Sequence, residues 1–514
     1  MSVPADARGA STAPEAASVA RETRAQLAYA IPVSVSSLCN RARDVVSLAF
    51  VGAERDVGAL AGASLASTFA NVTGNAIVVG LASATVTLAG QAFGAGARER
   101  CGACAQRAAL ATLATCAVIA SFWPMLDVLA VKLGQDGEIA RRARSYVLGL
   151  RPGLFAYGLN VTTQSYLQAI GMTRPQAANG IVATALHPFT CLMFKRLGFG
   201  FVGPAYATSV STTLVLALNV TYLAARRRPG IFRERDETTA KKRDECWVGF
   251  DAKEMFDVEG LKAFFRLGIP GVIVMMEWWA SEFAIAMAGL LPNPKVAVSA
   301  MSIYQVTNAF AFMIAVGFGA SAATRVAHEV GAGDAAAASL AASVALRLIV
   351  GVELCVSLVV FLARESWPSV FTSDAEVRST VSRLMVPLAV YVFFDGLCCV
   401  STSVLRGAGR QAFAAPIVLV SYYVIGLPLS AFLAFAKASP TAKHRVVGLA
   451  LGGVAGTAAH AGFMTRVALR LDWRRELVRA REALARKAHS HELSSSDDIA
   501  YEPLAPDVNN DAAK

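Results

Sequence analysis

The sequence predicts an all-α, polytopic membrane protein built from two related halves, and three observations support this prediction. Only 17% of the 514 residues are charged and 55% are hydrophobic, whereas a soluble protein is about 25% charged. Long apolar blocks recur along most of the chain, and the second half repeats landmarks of the first half. These features indicate that much of the chain has the hydrocarbon of a bilayer as its solvent.

The apolar blocks are counted by requiring each to approach the roughly 20 residues that cross a bilayer as a helix. The blocks that qualify lie near residues 27–51, 59–84, 104–130, 143–169, 177–197, 202–225, 264–290, 298–322, 338–363, 383–405, 412–436 and 445–468. We therefore predict about twelve transmembrane helices. The net charge of +11 falls mainly between these blocks, which favours a role in membrane topology and argues against nucleic-acid binding.

The two halves share a pattern of glycine, asparagine and proline residues. Gly94-Ala95-Gly96 returns 237 positions later as Gly331-Ala332-Gly333. Pairs at nearly the same separation are Asn71/Asn308, Gly80/Gly317, Pro32/Pro270, Pro152/Pro387 and Asn160/Asp395. Because six helices per half keep the halves in the same orientation, the repeat predicts a pseudo-two-fold axis along the membrane normal, with a substrate site between the halves.

The longest polar interruption divides the chain. We predict an N-terminal tail, a six-helix lobe, an inter-lobe loop, a second six-helix lobe and a partly disordered C-terminal tail, at residues 1–26, 27–225, 226–260, 261–468 and 469–514 respectively. Basic residues are concentrated in the loop and after the last span, although Arg141, Arg142 and Arg144 lie on the other side. The positive-inside rule therefore predicts that both termini and the inter-lobe loop are cytoplasmic.

We single out four acidic residues inside predicted spans, where charge is costly and marks function by default. They are Asp44, Glu277, Glu282 and Asp395. A carboxyl group in an apolar pocket favours its neutral form, so it can carry a proton or pair with a cation. A single carboxyl group that binds either a proton or a cation, and that is exposed first to one side of the membrane and then to the other, is sufficient for antiport.

The two glutamates are about 140° apart on an ideal helix, so both face one cavity only if that helix is bent. One of them can instead face the interior of the second half. Asp44 is ambiguous, because Arg41 lies three residues earlier on the same face. A buried ion pair that only fixes helix packing is as good an interpretation of Asp44 as a functional site.

Aromatic and amide side chains in the spans are candidates for lining a substrate cavity, the aromatic ones through cation–π contacts with flat organic cations. The candidates are Trp278, Tyr304, Phe394, Asn71, Asn160 and Asn308. The sequence contains no phosphate-binding Gly-rich loop followed by Lys-Ser/Thr and no HExxH motif. We therefore expect no enzyme activity, no metal ion and no cofactor, with an ion gradient as the energy source.

Five sequence blocks resemble the multidrug and toxic compound extrusion (MATE) family, and its plant-like branch in particular. The blocks are ASLASTFANVTG with GQAFGAG at 63–96, RPGLFAYGLN at 151–160, EWWASEFAIAMAGLLPNPK at 277–295, ATRVAHEVGAG at 323–333 and VLRGAGRQ at 404–411. They follow the family's order, and the resemblance covers roughly residues 27–470.

The resemblance implies two pseudo-symmetric six-helix lobes around a V-shaped central cavity. It implies export of organic cations, xenobiotics or secondary metabolites in exchange for protons by alternating access. It also implies a monomer in a plasma, vacuolar or other endomembrane. Within that branch, acidic residues of the seventh and tenth helices take part in proton coupling, and these positions match Glu277, Glu282 and Asp395. Asp44 is one turn from Ser47, where prokaryotic relatives place an acidic residue.

One departure affects the expected coupling. Plant-like members often carry a further acidic residue shortly after the Leu-Pro-Asn-Pro-Lys motif, where this sequence has Ala297. The chain therefore either couples fewer protons or uses Asp44 instead. Sodium coupling, export of organic anions and lipid-linked flipping are alternatives within transport, and a membrane receptor is the alternative outside it.

Overall fold

A computed structural model describes residues 12–54, 56–226, 246–247, 249–436 and 442–482. These residues form twelve long helical segments and no β-strand. The first six are α1 (Thr12–Gly52), α2 (Val57–Ala70, a π-helical turn Asn71–Asn75, and Ala76–Gly94), α3 (Glu99–Phe122, extended by Leu126–Lys132), α4 (Gly137–Ala169), α5 (Arg174–Arg196) and α6 (Gly203–Arg226).

The second set of six begins after a short helix, Ala252–Met255. It consists of α7 (Val258–Val274 and Met276–Ala288), α8 (Pro294–Ala332), α9 (Ala335–Leu362), α10 (Ala375–Gly407), α11 (Gln411–Leu419, a π-helical turn Val420–Gly426, and Leu427–Phe435) and α12 (Ala442–Leu469). Within the described residues, nine of these helices are long and apolar enough to cross a membrane. The other three are α1 and α4, which carry several charges, and α7, which is broken into two shorter pieces.

The local signals for helix ends follow the internal repeat. Asp136 caps the start of α4 and Asp374 caps the start of α10, each by accepting two backbone N–H groups of the first turn. At the ends of α2 and α8, Gly96 and Gly333 adopt positive φ angles of 75° and 81°, which only glycine adopts without strain. The same residue types at equivalent places therefore begin and end equivalent helices.

The two lobes contact each other near one side of the bundle, which we call the N-terminal side because α1 starts there. Gly94 of α2 lies against the carbonyl of His328 in α8, and Gly331 of α8 lies against the carbonyl of Gln91 in α2. The two contacts are related by the repeat. A Cβ atom at either glycine would overlap the opposing backbone, so these glycines permit the close crossing of α2 and α8.

Away from this side the lobes separate. The first piece of α2 and the second piece of α7 pack mainly on helices of their own lobes, whereas α1 packs on α8 and the first piece of α7 packs on α2. The result is a V-shaped cleft that is closed at the N-terminal side. The predicted all-helical fold with two pseudo-symmetric six-helix lobes is confirmed.

The segments outside the helical core differ in part from what the sequence predicts. Helix α1 starts at Thr12, and Glu22 and Gln26, which belong to the predicted tail, are buried. Glu22 pairs with Arg325 of α8 at 2.7 Å. Residues 473–482 are helical beyond α12. Residues 227–245 and 483–514, which hold most of the predicted loop and tail, lie outside the described residues.

The three arginines that depart from the charge asymmetry begin α4. Arg142 pairs with Glu138 at 2.6 Å and also with Asp56 of the α1–α2 turn. Arg144 lies 3.8 Å from Asp127. Because nearby carboxylates compensate two of the three charges, the cluster is weaker evidence against the predicted topology than its number of arginines indicates.

Candidate functional site

A break in α7 positions the first candidate carboxyl group. The helix ends at Val274 and resumes at Met276, five to six residues after Pro270. The hydroxyl of Tyr423 in α11 donates to the carbonyl of Met276 at 2.9 Å, so a side chain satisfies backbone at the bend. Glu277 follows in the first turn of the second piece.

Glu277 points into the C-terminal lobe, with a side chain that is only 13% exposed. Its Oε2 lies 3.7 Å from Nδ1 of His460 in α12, and its carboxyl group also interacts with Tyr422 of α11. The Tyr422 hydroxyl is 3.2 Å from the same imidazole nitrogen, and Thr457 donates to that hydroxyl at 3.4 Å. Glu277 is thus held in a polar chain that joins α7, α11 and α12.

Asp395 lies in the middle of α10 and is 3% exposed. Its Oδ2 accepts a hydrogen bond from the Asn308 amide of α8 at 3.4 Å. The carboxyl groups of Asp395 and Glu277 also interact with each other. The structure therefore brings together two of the acidic residues that the sequence singled out, from the seventh and tenth spans.

Two carboxyl groups in one buried site have a definite chemistry. Like charges in one buried site oppose each other, and the low dielectric of the interior increases the penalty. A proton shared between Asp395 and Glu277 relieves this repulsion, as it does in carboxyl pairs of other proteins. No donor group among the described residues reaches Oδ1 of Asp395, so this oxygen can accept a proton or a cation.

Tyrosine side chains surround this carboxyl pair. Tyr304 of α8 and Tyr391 of α10 have ring centroids 6.2 Å apart in an edge-on arrangement, and both interact with Asp395. Tyr304 is one of the predicted cavity-lining residues and is buried. Two others, Trp278 and Phe394, are half-buried and directly follow Glu277 and directly precede Asp395 in the chain.

The other two predicted acidic residues lie apart from the pair. Asp44 of α1 is about half exposed, and its Oδ2 is 3.7 Å from a guanidinium nitrogen of Arg41. Glu282 of α7 is partly buried and interacts electrostatically with the same Arg41, which belongs to the opposite lobe. Arg41 thus faces both carboxylates, and Glu277 and Glu282 point to different surroundings.

The equivalent positions of the N-terminal lobe carry amides. Asn160 of α4, the counterpart of Asp395, is 3% exposed. Its carbonyl oxygen accepts from Asn219 of α6 at 3.0 Å, and Asn219 in turn accepts from Asn179 of α5 at 2.8 Å. Asn71 lies in the π-helical turn of α2 and accepts from Asn75 at 2.8 Å. Ala297, where a carboxylate was missing, is buried in α8.

The sequence analysis missed two ionisable residues of this region. His460 is 1% exposed and contacts both Glu277 and Tyr422. Glu353 of α9 is also 1% exposed, so the inventory of four intramembrane acids was incomplete. The rule that intramembrane charge marks function would have found Glu353, and a search for histidines within spans would have found His460.

A metal ion is the other ligand that this region could accommodate. Glu277, Cys398 and His460 offer ligand atoms within 4.8 Å of one another, the one such trio found in the described part of the chain. The Cys398 thiol, however, donates to the Asp395 carbonyl at 3.1 Å, and Nδ1 of His460 already faces Tyr422 and Glu277. We interpret the trio as part of the hydrogen-bonded cluster, and the expected absence of a resident metal stays a prediction.

Two repeated lobes around a cleft, with ionisable groups buried between membrane-spanning helices, are the plan of many membrane transporters. Comparison with known proteins gives the family. The MatE family matches residues 32–193 and 271–432. Protein DETOXIFICATION 16 of Arabidopsis thaliana is 35% identical over 429 residues, which cover 82% of this chain and 83% of that protein. Protein DETOXIFICATION 14 of the same plant is 32% identical over 466 residues, covering 90% and 91%. The chain belongs to the MATE family.

Solved structures of this family have the same fold. The crystal structure of the eukaryotic MATE transporter AtDTX14 superposes with a TM-score of 0.82 at 29% identity, covering 90% of this chain and 99% of that one. A mutant of the Vibrio cholerae MATE transporter VcmN gives a TM-score of 0.77 at 20% identity, covering 89% and 99%. The predicted family is confirmed, and the protein is a multi-pass membrane transporter of small organic solutes rather than an enzyme.

Proposed function

We propose that this transporter exports cationic or amphipathic organic compounds in exchange for protons. The observation that carries the proposal is the buried pair formed by Glu277 and Asp395. Because the pair favours holding one proton, a cation that approaches it competes with that proton. Binding of proton and substrate is then mutually exclusive, which is the requirement for antiport by alternating access.

The rest of the cleft supports a cationic or amphipathic substrate. Trp278 and Phe394 flank the pair in the chain, and tyrosines surround it, so aromatic faces are available for cation–π contacts. We propose Asn71, Asn160 and Asn308 as further polar residues near the cavity. Asp44 and Glu282 add negative charge at the cleft, where Arg41 balances part of it until a substrate cation enters.

The proposed topology places the N-terminal side in the cytoplasm, in accordance with the positive-inside rule. The lobes are then residues 27–225 and 261–468, with the inter-lobe loop 226–260 and the tails 1–26 and 469–514 on the cytoplasmic side. In this orientation the cleft opens away from the cytoplasm, as expected for the state that releases an exported substrate. We propose a monomer in a plasma, vacuolar or other endomembrane.

Sodium coupling is a second candidate, favoured by one observation. Oδ1 of Asp395 and Oδ1 of Asn308 are both buried, and no donor group among the described residues reaches either of them. Oxygen atoms of this kind are the ligands that hard cations prefer. A sodium ion bound there would replace the proton as the driving ion while leaving the alternating-access cycle unchanged.

The two candidates are separated by transport in proteoliposomes. The purified protein is reconstituted, an inside-acid pH gradient is imposed, and uptake of a fluorescent organic cation is followed together with proton efflux. Proton coupling predicts uptake that stops when the pH gradient is collapsed and that is unchanged when choline replaces sodium. Uptake that follows a sodium gradient at equal pH would establish the alternative, and uptake that follows neither gradient would contradict both.

A further inference from the structure

Glu353 is a buried acid that the proposed exchange does not yet use. It lies in α9, 1% of it is exposed, and neither carboxyl oxygen has a hydrogen-bond partner among the described residues. An ionised carboxylate without donors in an apolar interior is strongly unfavourable. In this arrangement of the helices Glu353 is therefore held as the neutral, protonated acid.

The position of Glu353 is fixed by a glycine next to Asp395. The Glu353 side chain lies over Gly396 of α10, and a Cβ atom at Gly396 would overlap its Cγ and Oε1. This close packing of α9 on α10 brings the acid within electrostatic range of Asp395. Glu353 thus lies beside Asp395 of the carboxyl pair and is more buried than Glu277.

The surroundings of Glu353 contain few other ionisable groups. From α10 it interacts with Asp395 and with the Cys399 thiol. The helices α8 and α1 also pack on α9, but none of their ionisable groups interacts with Glu353 in the described part of the chain. The Asn308 amide donates to Oδ2 of Asp395, and no donor among the described residues reaches Oδ1.

We propose that Glu353 is a second proton-binding residue of the transport cycle. This proposal rests on the proposed proton antiport and specifies its stoichiometry. One proton is shared by Asp395 and Glu277 and is displaced by the substrate, and a second is carried by Glu353. After Asp395 has lost its proton to the solvent on one side of the membrane, Glu353 passes its own proton to Asp395, which releases it to the same side. Glu353 then takes up a new proton from the opposite side of the membrane. Each cycle then moves two protons for one substrate.

The test measures the accumulation limit, which depends on stoichiometry and not on rate. In proteoliposomes with the membrane potential clamped at zero, each coupled proton raises the limiting substrate ratio about tenfold per pH unit. Wild type is expected to reach about a hundredfold ratio at a gradient of one unit. Glu353→Gln, which cannot release a proton, is expected to reach about tenfold. Glu353→Asp, which keeps the acid, is expected to stay near the wild-type limit.

A purely structural role for Glu353 predicts a different result. The neutral Gln side chain is nearly isosteric with the protonated acid, so a structural residue would tolerate it and the limit would stay unchanged. That outcome overturns the proposal. Glu353→Met is a second neutral variant that keeps the experiment informative if the Gln variant does not fold. A wild type that ignores the pH gradient would instead refute the proposed antiport itself.

Discussion

The two lobes have the same scaffold and different chemistry at matching positions. In the C-terminal lobe, Asn308 of α8 donates to Asp395 of α10, and no donor among the described residues reaches the other carboxyl oxygen. In the N-terminal lobe the matching residues are Asn71 of α2 and Asn160 of α4. Asn160 accepts from Asn219 at 3.0 Å in a neutral amide chain.

This difference supports the proposal that the coupling site lies in the C-terminal lobe. An amide chain satisfies its own hydrogen bonds and has no proton to exchange, so it stabilises helix packing. A buried carboxyl pair leaves its charge to be neutralised, so its stability depends on an external proton or cation. We infer that ion coupling resides in the C-terminal lobe and that the N-terminal lobe provides a rigid partner.

The largest effect is expected from Asp395→Asn, which gives the C-terminal lobe the residue of its N-terminal counterpart. Without the carboxyl group the pH gradient cannot act on the site, so the limiting substrate ratio falls to about one from about tenfold or more per pH unit. The limiting ratio is measured as the final uptake of substrate into proteoliposomes. The matched control adds Asn160→Asp to Asp395→Asn. Recovery of coupling in that double variant would show that either lobe can host the site.

A second test breaks the contact that both lobes share. Gly331→Val inserts a branched side chain against the Gln91 carbonyl, and Gly94→Val does the same against the His328 carbonyl. Overpacking costs about 1–3 kcal/mol, so the population closed at the N-terminal side is expected to fall roughly 5- to 150-fold. Thiol accessibility of cysteines introduced into the cleft reports this change.

Gly351→Val is the control for these variants, because a Cβ atom at Gly351 meets nothing within 4 Å. It is expected to keep both transport and accessibility. Since the two crossing glycines are related by the repeat, they are expected to behave alike. A strong effect at one and none at the other would mean that the closure is not symmetric.

The amide chain of the N-terminal lobe is expected to affect stability and not coupling. Asn160→Leu leaves a buried Asn219 N–H group without its acceptor. Interhelical hydrogen bonds of this kind contribute about 0.6 to 1.7 kcal/mol in membrane proteins, so the melting temperature in detergent is expected to fall by a few degrees. Unchanged proton-to-substrate stoichiometry in the same variant separates this lobe from the other, and loss of coupling would contradict that separation.

The smallest effect concerns the ion pair at the α1–α2 turn. The hydrogen bond from Arg142 holds the pKa of Asp56 below its usual value. A lowered pKa stabilises the fold above the pKa of the unfolded carboxyl group, and this stabilisation is lost as pH falls through the folded value. Asp56→Asn keeps the helix cap, so it is expected to lower the melting temperature less than Asn160→Leu does.

The pH dependence provides the control for that last variant. The difference between Asp56→Asn and wild type is expected at neutral pH and should disappear once acid has protonated Asp56 in the wild type. Melting curves recorded from neutral to acid pH measure the difference. A difference that persists in acid would assign the effect to the cap and not to the charge.

The sequence was sufficient for the fold because the fold depends on patterns that repeat. Apolar blocks determine the helices, and recurring residues such as Gly94 and Gly331 show the pseudo-symmetry. The site was predicted in part. Glu277 and Asp395 were found because charge in an apolar block is conspicuous, and their mutual contact could not be predicted, since it depends on how α7 and α10 pack.

The features that the sequence did not yield depend on tertiary structure. The break of α7 lies at Met275, several residues after Pro270, and the Tyr423 hydroxyl donates to the carbonyl of the next residue, Met276. Glu353 escaped notice because a single acid barely changes the hydropathy of a 28-residue helix. Its importance appears only when Gly396 is seen to lie directly against it.

The central claim is that substrate displaces a proton from the carboxyl pair of the C-terminal lobe. Infrared difference spectroscopy of the purified protein measures this directly, through the band of protonated carboxyl groups before and after a saturating organic cation is added. The account predicts that this band decreases in wild type and in Asn160→Leu and does not change in Asp395→Asn. Saturating substrate that leaves the wild-type band unchanged, or an equal decrease in Asp395→Asn, would contradict the account.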